Sequence, residues 1–352
     1  MSKTVLVTGG SGLLGREVLK AFERAGWKAV GTALTRTNPP SIVKLDLEDE
    51  DEIEKILEDV KPDVVVHSAA NRFPDFCESS PPSAFAINST ATATLASQTF
   101  RRSIFLLYIS TDYVFSGRPG EAPYYPSSPT HPPNVYGQTK RDGEIGVLRN
   151  TGGPADGNAD ASGQDGWDDG PAVLGAVLRV PLLYGSADKE KGESESAVHP
   201  LVTSVYKAQY IKADDGDAKI KMDDYAIRYP TCTEDVGRVC VDVSTLYLGE
   251  RDTEADKRKF KQLPRILQFS SEQKYTKYEM CEALAEILGL PVDGLQRWDP
   301  SKEDEGKSEG DSQTARPYDC HLDTGALKEL GINVNCLDFV AWWRRELRAF
   351  RH

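Results

Sequence analysis

The sequence predicts an α/β protein built on a doubly wound parallel sheet, with a smaller C-terminal lobe. Apolar runs of strand length alternate with segments of helical periodicity through the first half of the chain, which is the pattern of βαβ units. A glycine-rich turn follows the first of these strands, and the alternation weakens from about residue 181. We therefore expect helices on both faces of the sheet and a later, less regular part of the chain beside it.

The elements of the first half follow from their periodicity. The first predicted helix, 12–25, places large apolar residues on one stripe, and Gly26 is a plausible stop. The second, 50–60, is acidic with Ile53, Ile56 and Leu57 inward, and Pro62 ends it. Strands are predicted at 4–8, 29–34, 64–69, 104–110 and 173–180, and the remaining helices at 82–100 and 136–148.

Composition and charge exclude several classes of protein. The chain of 352 residues carries 42 Lys and Arg against 55 Asp and Glu, a net charge of −13. Such a balance argues against nucleic acid or an anionic membrane as the main partner. No apolar run is long enough to span a bilayer. The six cysteines are scattered without the close pairs of zinc sites, so we expect reduced thiols, no metal and a cytoplasmic location.

Gly9, Gly12 and Gly15 form a GxxGxxG motif between the first predicted strand and the first predicted helix. In Rossmann-type folds such glycines permit a tight turn, let a diphosphate approach the backbone and let the helix pack close to the sheet. A glycine-rich turn that binds nothing is the alternative. The strand before and the helix after the motif favour a dinucleotide.

The end of the second predicted strand decides between NAD and NADP. An NAD site normally carries Asp or Glu there to hold the ribose 2′-hydroxyl. Here the strand ends ALTRTN, which contains no acid. Arg36 can pair with a 2′-phosphate through its planar guanidinium, so the sequence predicts NADP; the alternative is that Arg36 is a solvated loop residue. Further contacts are expected from the ends of neighbouring strands, at Asp46, Leu47, Ser68, Ala69 and Ala70.

A second group of residues suggests hydride transfer. Tyr136 and Lys140 stand one helical turn apart in VYGQTK, so both side chains point the same way. A lysine ammonium and an oxidised nicotinamide would lower the pKa of the tyrosine, which then serves as a proton donor to a carbonyl. Thr111 ends the upstream strand YIST and could hydrogen-bond the carbonyl oxygen. Isolated YxxxK patterns are mostly ordinary surface residues, but this one follows a strand end in a chain with the glycine motif.

The motifs TGGSGLLG, HSAAN, ISTDYVFSG and VYGQTK together resemble the extended short-chain dehydrogenase/reductases, and the wording around STDYVF resembles their dTDP-4-dehydrorhamnose reductase branch. In that branch the resemblance implies a catalytic triad of Thr111, Tyr136 and Lys140. Lys140 and Tyr136 would also hold the nicotinamide ribose, whether or not hydride is transferred.

The second half of the chain narrows the resemblance. LRVPLLYG, ESAVHPLV, YAIRYPTCTEDVGRV, YTKYEMCEALAEILGLP and ARPYDCHLDTGALKELGI resemble, in order and spacing, the family of regulatory beta subunits of methionine adenosyltransferase. Asp46, Leu34 and Thr35 depart from that family, where an amide, an aromatic and a basic residue stand. The NADP contacts that the resemblance implies are Ser11, Gly12, Leu13, Leu14, Arg36, Asp46, Leu47, Ser68, Arg72, Tyr136 and Leu183.

The resemblance implies an NADP-binding regulatory subunit that modulates S-adenosylmethionine synthesis, within one-carbon metabolism, as a hetero-oligomer with a catalytic methionine adenosyltransferase subunit. The alternative is an NADPH-dependent reductase of a nucleotide-linked keto sugar. An epimerase or dehydratase ranks third, because those enzymes need tightly held NAD and usually an acid at the end of the second strand, where this chain has none. For a sugar nucleotide the C-terminal half offers Arg228, Lys207, Tyr206 and His199.

Two domains are expected. Residues 1–180 form the NADP-binding Rossmann domain, in which 150–170, rich in Gly, Asp, Asn and Ala, is predicted to be a disordered insertion or, alternatively, a functional acidic loop. Residues 181–352 form the C-terminal lobe, interleaved with the core, in which 249–261 and 301–313 are charged, solvated stretches.

The chain ends CLDFVAWWRRELRAFRH, with aromatic and arginine residues at near-helical intervals. Two adjacent tryptophans do not fit one narrow stripe, so we expect at least one of them to leave the protein's own core; for Phe339 and Trp342, packing on the protein's own domain is favoured. The resemblance implies that the C-terminal tail binds the catalytic subunit, and deletion of the final residues, 346–352, is predicted to abolish that binding while leaving folding and NADPH binding nearly unchanged.

Overall fold

The computed structural model describes residues 2–152, 174–188, 195–211, 218–249, 263–302 and 314–349. The predicted insertion 150–170 and the charged stretches 249–261 and 301–313 lie almost entirely outside the described residues, as does the end of the predicted tail, 350–352. The predictions made for those segments remain predictions.

A seven-stranded parallel sheet forms the centre of the molecule, as the alternating pattern predicts. The strands are β1 (Thr4–Thr8), β2 (Lys28–Ala33), β3 (Ile42–Lys44), β4 (Val64–His67), β5 (Phe105–Thr111), β6 (Gly175–Val180), β7 (Leu183–Tyr184), β8 (Ile220–Asp223), β9 (Thr231–Cys232), β10 (Ile266–Gln268) and β11 (Leu295–Trp298). The strand order of the central sheet is β10-β6-β5-β4-β1-β2-β3, and every pair in it is parallel. Two short parallel pairs, β7 with β9 and β8 with β11, lie outside this sheet.

Helices cover both faces of the sheet and build the C-terminal lobe. The helices are α1 (Leu13–Arg24), α2 (Glu50–Val60), α3 (Pro74–Ser79), α4 (Pro81–Phe85), α5 (Thr92–Arg101), α6 (Val135–Asn150), α7 (His199–Ala208), α8 (Thr233–Tyr247), α9 (Lys277–Leu288), α10 (Gly325–Glu329) and α11 (Phe339–Glu346). Helices α1 and α8 pack on one face of the sheet, and α2, α5 and α6 pack on the other. None of the helices described crosses a membrane, since each is too short or too polar.

The strands are buried on both faces because their side chains alternate between two cores. Val5 and Val7 of β1 point into the core shared with α1 and α8, while Leu6 points into the core shared with α2 and α5. Such burial explains why the strands appear in the sequence as continuous apolar runs. Because the strands are parallel, the carboxyl ends of β1, β2, β4 and β5 lie along one edge of the sheet.

The helix predicted at 82–100 is interrupted by a π-helical segment. Ala86–Ala91 lies between α4 and α5 with i to i+5 geometry, and Asn88 within it is fully buried. π-Helical turns often occur at functional sites. Within this π-helical segment, the Asn88 side chain faces α6 and donates a hydrogen bond to the Thr139 hydroxyl.

The C-terminal lobe has its own core, and both tryptophans belong to it. Trp342 is 3% exposed and Trp343 is not exposed at all, so the prediction that one of them leaves the core is wrong. The Tyr184 ring packs against both, 5.0 Å from Trp342 and 6.3 Å from Trp343, and the His199 ring lies 4.9 Å from Trp343. The buried face of α11 is therefore wider than a single helical stripe and accommodates both adjacent tryptophans.

The predicted tail is partly built into the same lobe. Glu346 accepts a hydrogen bond from the Ser186 hydroxyl at 2.8 Å, and Leu347 and Ala349 pack against the lobe core. Deleting residues 346–349 would take away this packing and the hydrogen bond, so we now expect it to destabilise the lobe, in contrast to the expectation from the sequence.

Candidate functional site

The glycine motif forms a tight turn between β1 and α1. Gly9 has a φ of +69°, and Gly12 donates its N–H to the Gly9 carbonyl at 2.8 Å. A Cβ atom on Gly15 would lie 2.1 Å from that same carbonyl oxygen, so α1 can begin this close to β1 only with glycine there. The turn leaves the N-terminus of α1 open, because its N-cap is Gly12 and its first turn carries no acidic side chain.

Gly10 is a residue of this turn that the sequence analysis missed. A Cβ atom there would lie 2.8 Å from the Cα atom of Gly31 in β2, and the Gly10 N–H bonds to the Thr32 carbonyl at 2.8 Å. The pair of adjacent glycines in TGGSG was the available signal. Gly10 holds the turn against β2 and so sets the distance between the turn and the end of that strand.

Arg36 follows β2, as predicted, and is paired with acidic side chains. Its Nη1 atom lies 3.2 Å from Glu195 and 3.5 Å from Asp188. Arg16 binds the same Glu195 carboxylate through both Nη atoms, at 2.9 and 2.7 Å. Burial opposes ionisation of Glu195, but the hydrogen bonds from Arg16 and the Asp188 N–H, together with the charges of Arg16 and Arg36, outweigh it and lower the pKa to about 2. The sequence analysis missed both Arg16 and Glu195, although Arg16 directly follows the glycine motif.

The segment after β4 is fixed to β1 through buried hydroxyl and imidazole groups. Ser68 donates to the Thr8 carbonyl at 2.7 Å, and the Ala69 N–H donates to the Thr8 hydroxyl at 3.3 Å. His67 lies between the Thr8 and Thr92 hydroxyls, at 2.6 and 2.9 Å. Burial, with the charge of Lys140, lowers its pKa to about 3, so the imidazole is neutral. Ser68, Ala69 and Ala70 thereby reach the edge of the sheet beside the glycine turn.

Other predicted cofactor contacts differ in what they present. Asp46 uses a carboxylate oxygen to accept the Glu48 N–H at 2.9 Å, while the Leu47 side chain is buried in the core under α2 and α5. Leu47 can therefore offer a ligand only its backbone. Leu13, Leu14 and Leu183 are partly buried.

Asn88 ties the far side of the site together and was also missed. Its amide exchanges two hydrogen bonds with the Asn71 backbone, at 2.8 and 2.9 Å, and donates to the Thr139 hydroxyl at 3.0 Å. Arg72, next to Asn71, lies with its guanidinium 4.2 Å from the Phe73 ring and within electrostatic reach of Glu195. The network positions Arg72 between the glycine turn and α6.

Thr111, Tyr136 and Lys140 are brought to the same edge by β5 and α6. Asn134 caps α6 by accepting the Gly137 N–H at 2.8 Å, which sets Tyr136 in the first turn and Lys140 in the second. The pKa of Tyr136 is raised, mainly by burial, and a hydrogen bond with Thr111 offsets part of the rise. The expected lowering of the tyrosine pKa by the lysine is therefore not found in the chain alone, where Tyr136 is a neutral phenol.

Lys140 is almost completely buried. Its Nζ atom donates to the Ile109 carbonyl at 2.8 Å and lies 4.1 Å from the centre of the Tyr108 ring. Burial lowers its pKa to about 7, although the Glu144 carboxylate opposes the shift. The Lys140 amino group is thus bound by β5 rather than by Tyr136. Because its pKa is close to neutral pH, a polar group placed at this edge of the sheet would change its protonation.

Thr111 is held by its neighbour Asp112. The Thr111 hydroxyl donates to Asp112 at 2.9 Å, and burial raises the pKa of that carboxyl to about 6. Arg228 is buried nearby with two hydrogen bonds from Nη1 to carbonyls, while its Nη2 has no hydrogen-bond partner among the described residues. Of the four side chains suggested for a sugar nucleotide, Arg228 lies close enough to Asp112 for its positive charge to lower the pKa of that carboxyl. His199 instead packs on Trp343.

Comparisons with known proteins agree with this fold. The family model described as the RmlD substrate binding domain matches residues 3–153. The solved dTDP-4-dehydrorhamnose reductase of Bacillus anthracis in complex with NADP has a TM-score of 0.72 at 17% identity over 99% of both chains. The UDP-glucose 4-epimerase of Thermus thermophilus in complex with NAD reaches 0.69 at 17% identity, over 98% of both chains. These likenesses show that the chain has the Rossmann-type fold of the dTDP-4-dehydrorhamnose reductases.

Sequence relatives narrow the class to one family. Methionine adenosyltransferase 2 subunit beta of Danio rerio is 33% identical over 99% of this chain and 92% of the relative, and that of Xenopus laevis is 34% identical over 94% and 83%. A dTDP-4-dehydrorhamnose reductase of Streptomyces griseus is 42% identical over 41% of this chain and 44% of the relative. The chain belongs to the family of the methionine adenosyltransferase 2 beta subunits.

Proposed function

We propose that the protein is an NADP-binding regulatory subunit of a methionine adenosyltransferase, which modulates S-adenosylmethionine synthesis by binding the catalytic subunit. The observation that carries the proposal is the family likeness over 99% of the chain, which includes the C-terminal lobe as well as the nucleotide-binding part. A likeness limited to the first 150 residues would support only a dinucleotide-binding fold.

The residues present fit NADP. In the turn at Gly9, Gly12 and Gly15, a Cβ atom would not fit at Gly15 and would make tight contacts at Gly9 and Gly12. The turn would receive the diphosphate at the open N-terminus of α1. Arg36 would hold the 2′-phosphate, and Tyr136 with Lys140 the nicotinamide ribose. When bound, NADPH supplies a hydride donor; the chain itself supplies a neutral phenol at Tyr136.

A reductase acting on a nucleotide-linked keto sugar is the second candidate. Its support is the set Thr111, Tyr136 and Lys140 at one edge of the sheet, together with the likeness to a dTDP-4-dehydrorhamnose reductase. In this function Thr111 polarises the carbonyl and Tyr136 gives up its proton, while Asp112 holds the Thr111 hydroxyl in place. The two functions differ in their dependence on the Tyr136 hydroxyl. A reductase would lose its activity without it, whereas a regulatory subunit would keep its effect on the catalytic subunit.

The partner half of the proposal is tested by mixing the purified chain with the purified catalytic subunit and following both by size-exclusion chromatography with light scattering. We expect a complex heavier than either component. The matched control is the catalytic subunit with the Streptomyces griseus reductase, which is similar to 41% of this chain. Separate elution of chain and catalytic subunit at micromolar concentration contradicts the proposal.

The cofactor half is tested at Arg36. NADPH is expected to bind more tightly than NADH, and Arg36→Ala is expected to remove most of the difference, because a charge-assisted contact contributes ~1.5–3 kcal/mol, roughly ten- to a hundredfold. Isothermal titration calorimetry measures both affinities. Arg24→Ala, an exposed arginine at the far end of α1, is the control and should leave them unchanged. Equal affinities of the wild type for NADPH and NADH would show that Arg36 does not select the cofactor.

Tyr136→Phe separates the two candidate functions. We expect it to weaken NADPH binding by about two- to tenfold, the effect of one hydrogen bond, and to leave the effect on the catalytic subunit intact. The measurements are calorimetry and the rate of S-adenosylmethionine formation. Rapid NADPH oxidation with a dTDP-linked keto sugar, lost in Tyr136→Phe, would instead establish the reductase.

A further inference from the structure

Arg16 and Arg36 form a basic pair at the edge of the glycine turn. Arg16 directly follows Gly15 and donates to the Ser11 carbonyl of the turn at 2.9 Å. Arg36 follows β2, the strand whose end normally carries the residue that selects between NAD and NADP. The two guanidinium groups therefore offer converging N–H donors at the place where an adenosine ribose would lie.

A carboxylate already fills this position. Glu195 lies 159 residues beyond Arg36 in the chain, and its side chain is only 2% exposed although both arginines are about a fifth exposed. One of its oxygens is shared between Arg16 and Arg36, and the other accepts from Arg16 and from the Asp188 N–H at 2.9 Å. The Asp188 carboxylate adds a second negative charge 3.5 Å from Arg36.

We propose that Glu195 is an internal substitute for the cofactor's 2′-phosphate, which NADP(H) must displace from Arg16 and Arg36 whereas NAD(H) need not. The inference rests on the proposed NADP binding. Two anions cannot use the same guanidinium donors, and their mutual repulsion in a partly buried site is strong. Glu195 remains ionised at neutral pH, since its pKa is about 2. It therefore lowers the affinity for NADP(H) selectively and makes Arg16 a second 2′-phosphate residue.

Displacement of Glu195 from the two arginines would also affect contacts of the C-terminal lobe. The Ser186 carbonyl accepts a hydrogen bond from Arg16 at 2.9 Å, and the Ser186 hydroxyl donates to Glu346 at the end of α11 at 2.8 Å. Glu195 itself precedes α7 of that lobe. The residues that NADP(H) must displace thus belong to the same short segments that contact α11.

Glu195→Gln tests the proposal, because it keeps the size and the carbonyl oxygen of the side chain but removes its charge. We expect the Kd for NADPH, measured by isothermal titration calorimetry, to fall about tenfold, equivalent to ~1.4 kcal/mol, and the Kd for NADH to stay within about twofold. Glu282→Gln is the matched control: that carboxylate is also bidentate to an arginine, Arg297, but in the C-terminal lobe. It should change neither Kd.

Asp188→Asn provides a second variant with a smaller structural role, and a smaller fall in the Kd for NADPH is expected. It decides the question by the same criteria if Glu195→Gln does not fold, as judged by thermal unfolding. An unchanged or weaker affinity for NADPH, or an equal gain for NADH, overturns the inference and leaves NADP binding standing. Failure of wild type and variants to bind either dinucleotide overturns both.

Discussion

Gly15→Ala is expected to abolish NADPH binding and to destabilise the fold. The added Cβ atom would lie 2.1 Å from the Gly9 carbonyl oxygen and 2.8 Å from the Gly10 Cα atom, and both contacts are with backbone that cannot rotate away. The start of α1 must therefore move from β1, which opens the turn that would receive the diphosphate. We expect a loss of at least about a hundredfold in affinity, or ~2.7 kcal/mol, with ~1–3 kcal/mol of stability from overpacking.

Calorimetry and thermal unfolding measure the two effects, and Gly26→Ala is the control. Gly26 has a φ of +81°, but its Cβ atom would meet nothing within 4 Å. It should cost about 1 kcal/mol of stability and leave NADPH affinity unchanged, since it stands at the far end of α1. Wild-type affinity in Gly15→Ala would mean that the glycine turn does not hold the cofactor.

Trp343→Ala is expected to lower the free energy of unfolding by about 3–5 kcal/mol, the cost of removing a large buried aromatic side chain. Trp343 is fully buried, and its ring contacts those of Tyr184, His199, Phe339 and Trp342. Urea unfolding followed by circular dichroism measures the loss.

The matched control lies on the same helix. Arg345 is 58% exposed and pairs with Glu234 at 2.6 Å, so Arg345→Ala should cost no more than about 1 kcal/mol. Near-wild-type stability of Trp343→Ala, together with loss of the complex with the catalytic subunit, would instead return Trp343 to the partner surface.

The buried side of α11 restricts where a partner can bind. Its aromatic residues are used by the lobe core, and Leu347 and Ala349 pack there too. The exposed side of the helix presents Arg344 and Arg345, side chains of the type enriched at binding hot spots. A truncation designed to test partner binding should therefore spare residues 346–349, which contact the lobe.

The sequence predicted the features that depend on local spacing. Strand periodicity, the glycine turn and the one-turn separation of Tyr136 and Lys140 are all set within about ten residues, and the structure places them at one edge of the sheet. The partner of Arg36 could not be predicted, because Glu195 lies 159 residues away and its approach depends on how the C-terminal lobe packs. The same applies to Trp342 and Trp343, whose burial depends on Tyr184 and His199.

The pKa of Tyr136 shows a second limit. Spacing placed Lys140 beside it, and a nearby ammonium lowers a tyrosine pKa. The structure instead directs the Lys140 Nζ atom to the Ile109 carbonyl, and burial of the phenol then dominates. Direction of a long side chain and loss of hydration are properties of the folded protein that residue spacing does not contain.

Regulation of a methionine adenosyltransferase by this chain is tested most directly by the initial rate of S-adenosylmethionine formation. The purified catalytic subunit converts methionine and ATP at increasing molar ratios of this chain. We expect a rate or a Km for methionine that changes with the ratio and saturates when the complex is fully formed, and that changes equally with Tyr136→Phe. A rate and Km unaffected by an excess of the folded chain would contradict the proposed regulation.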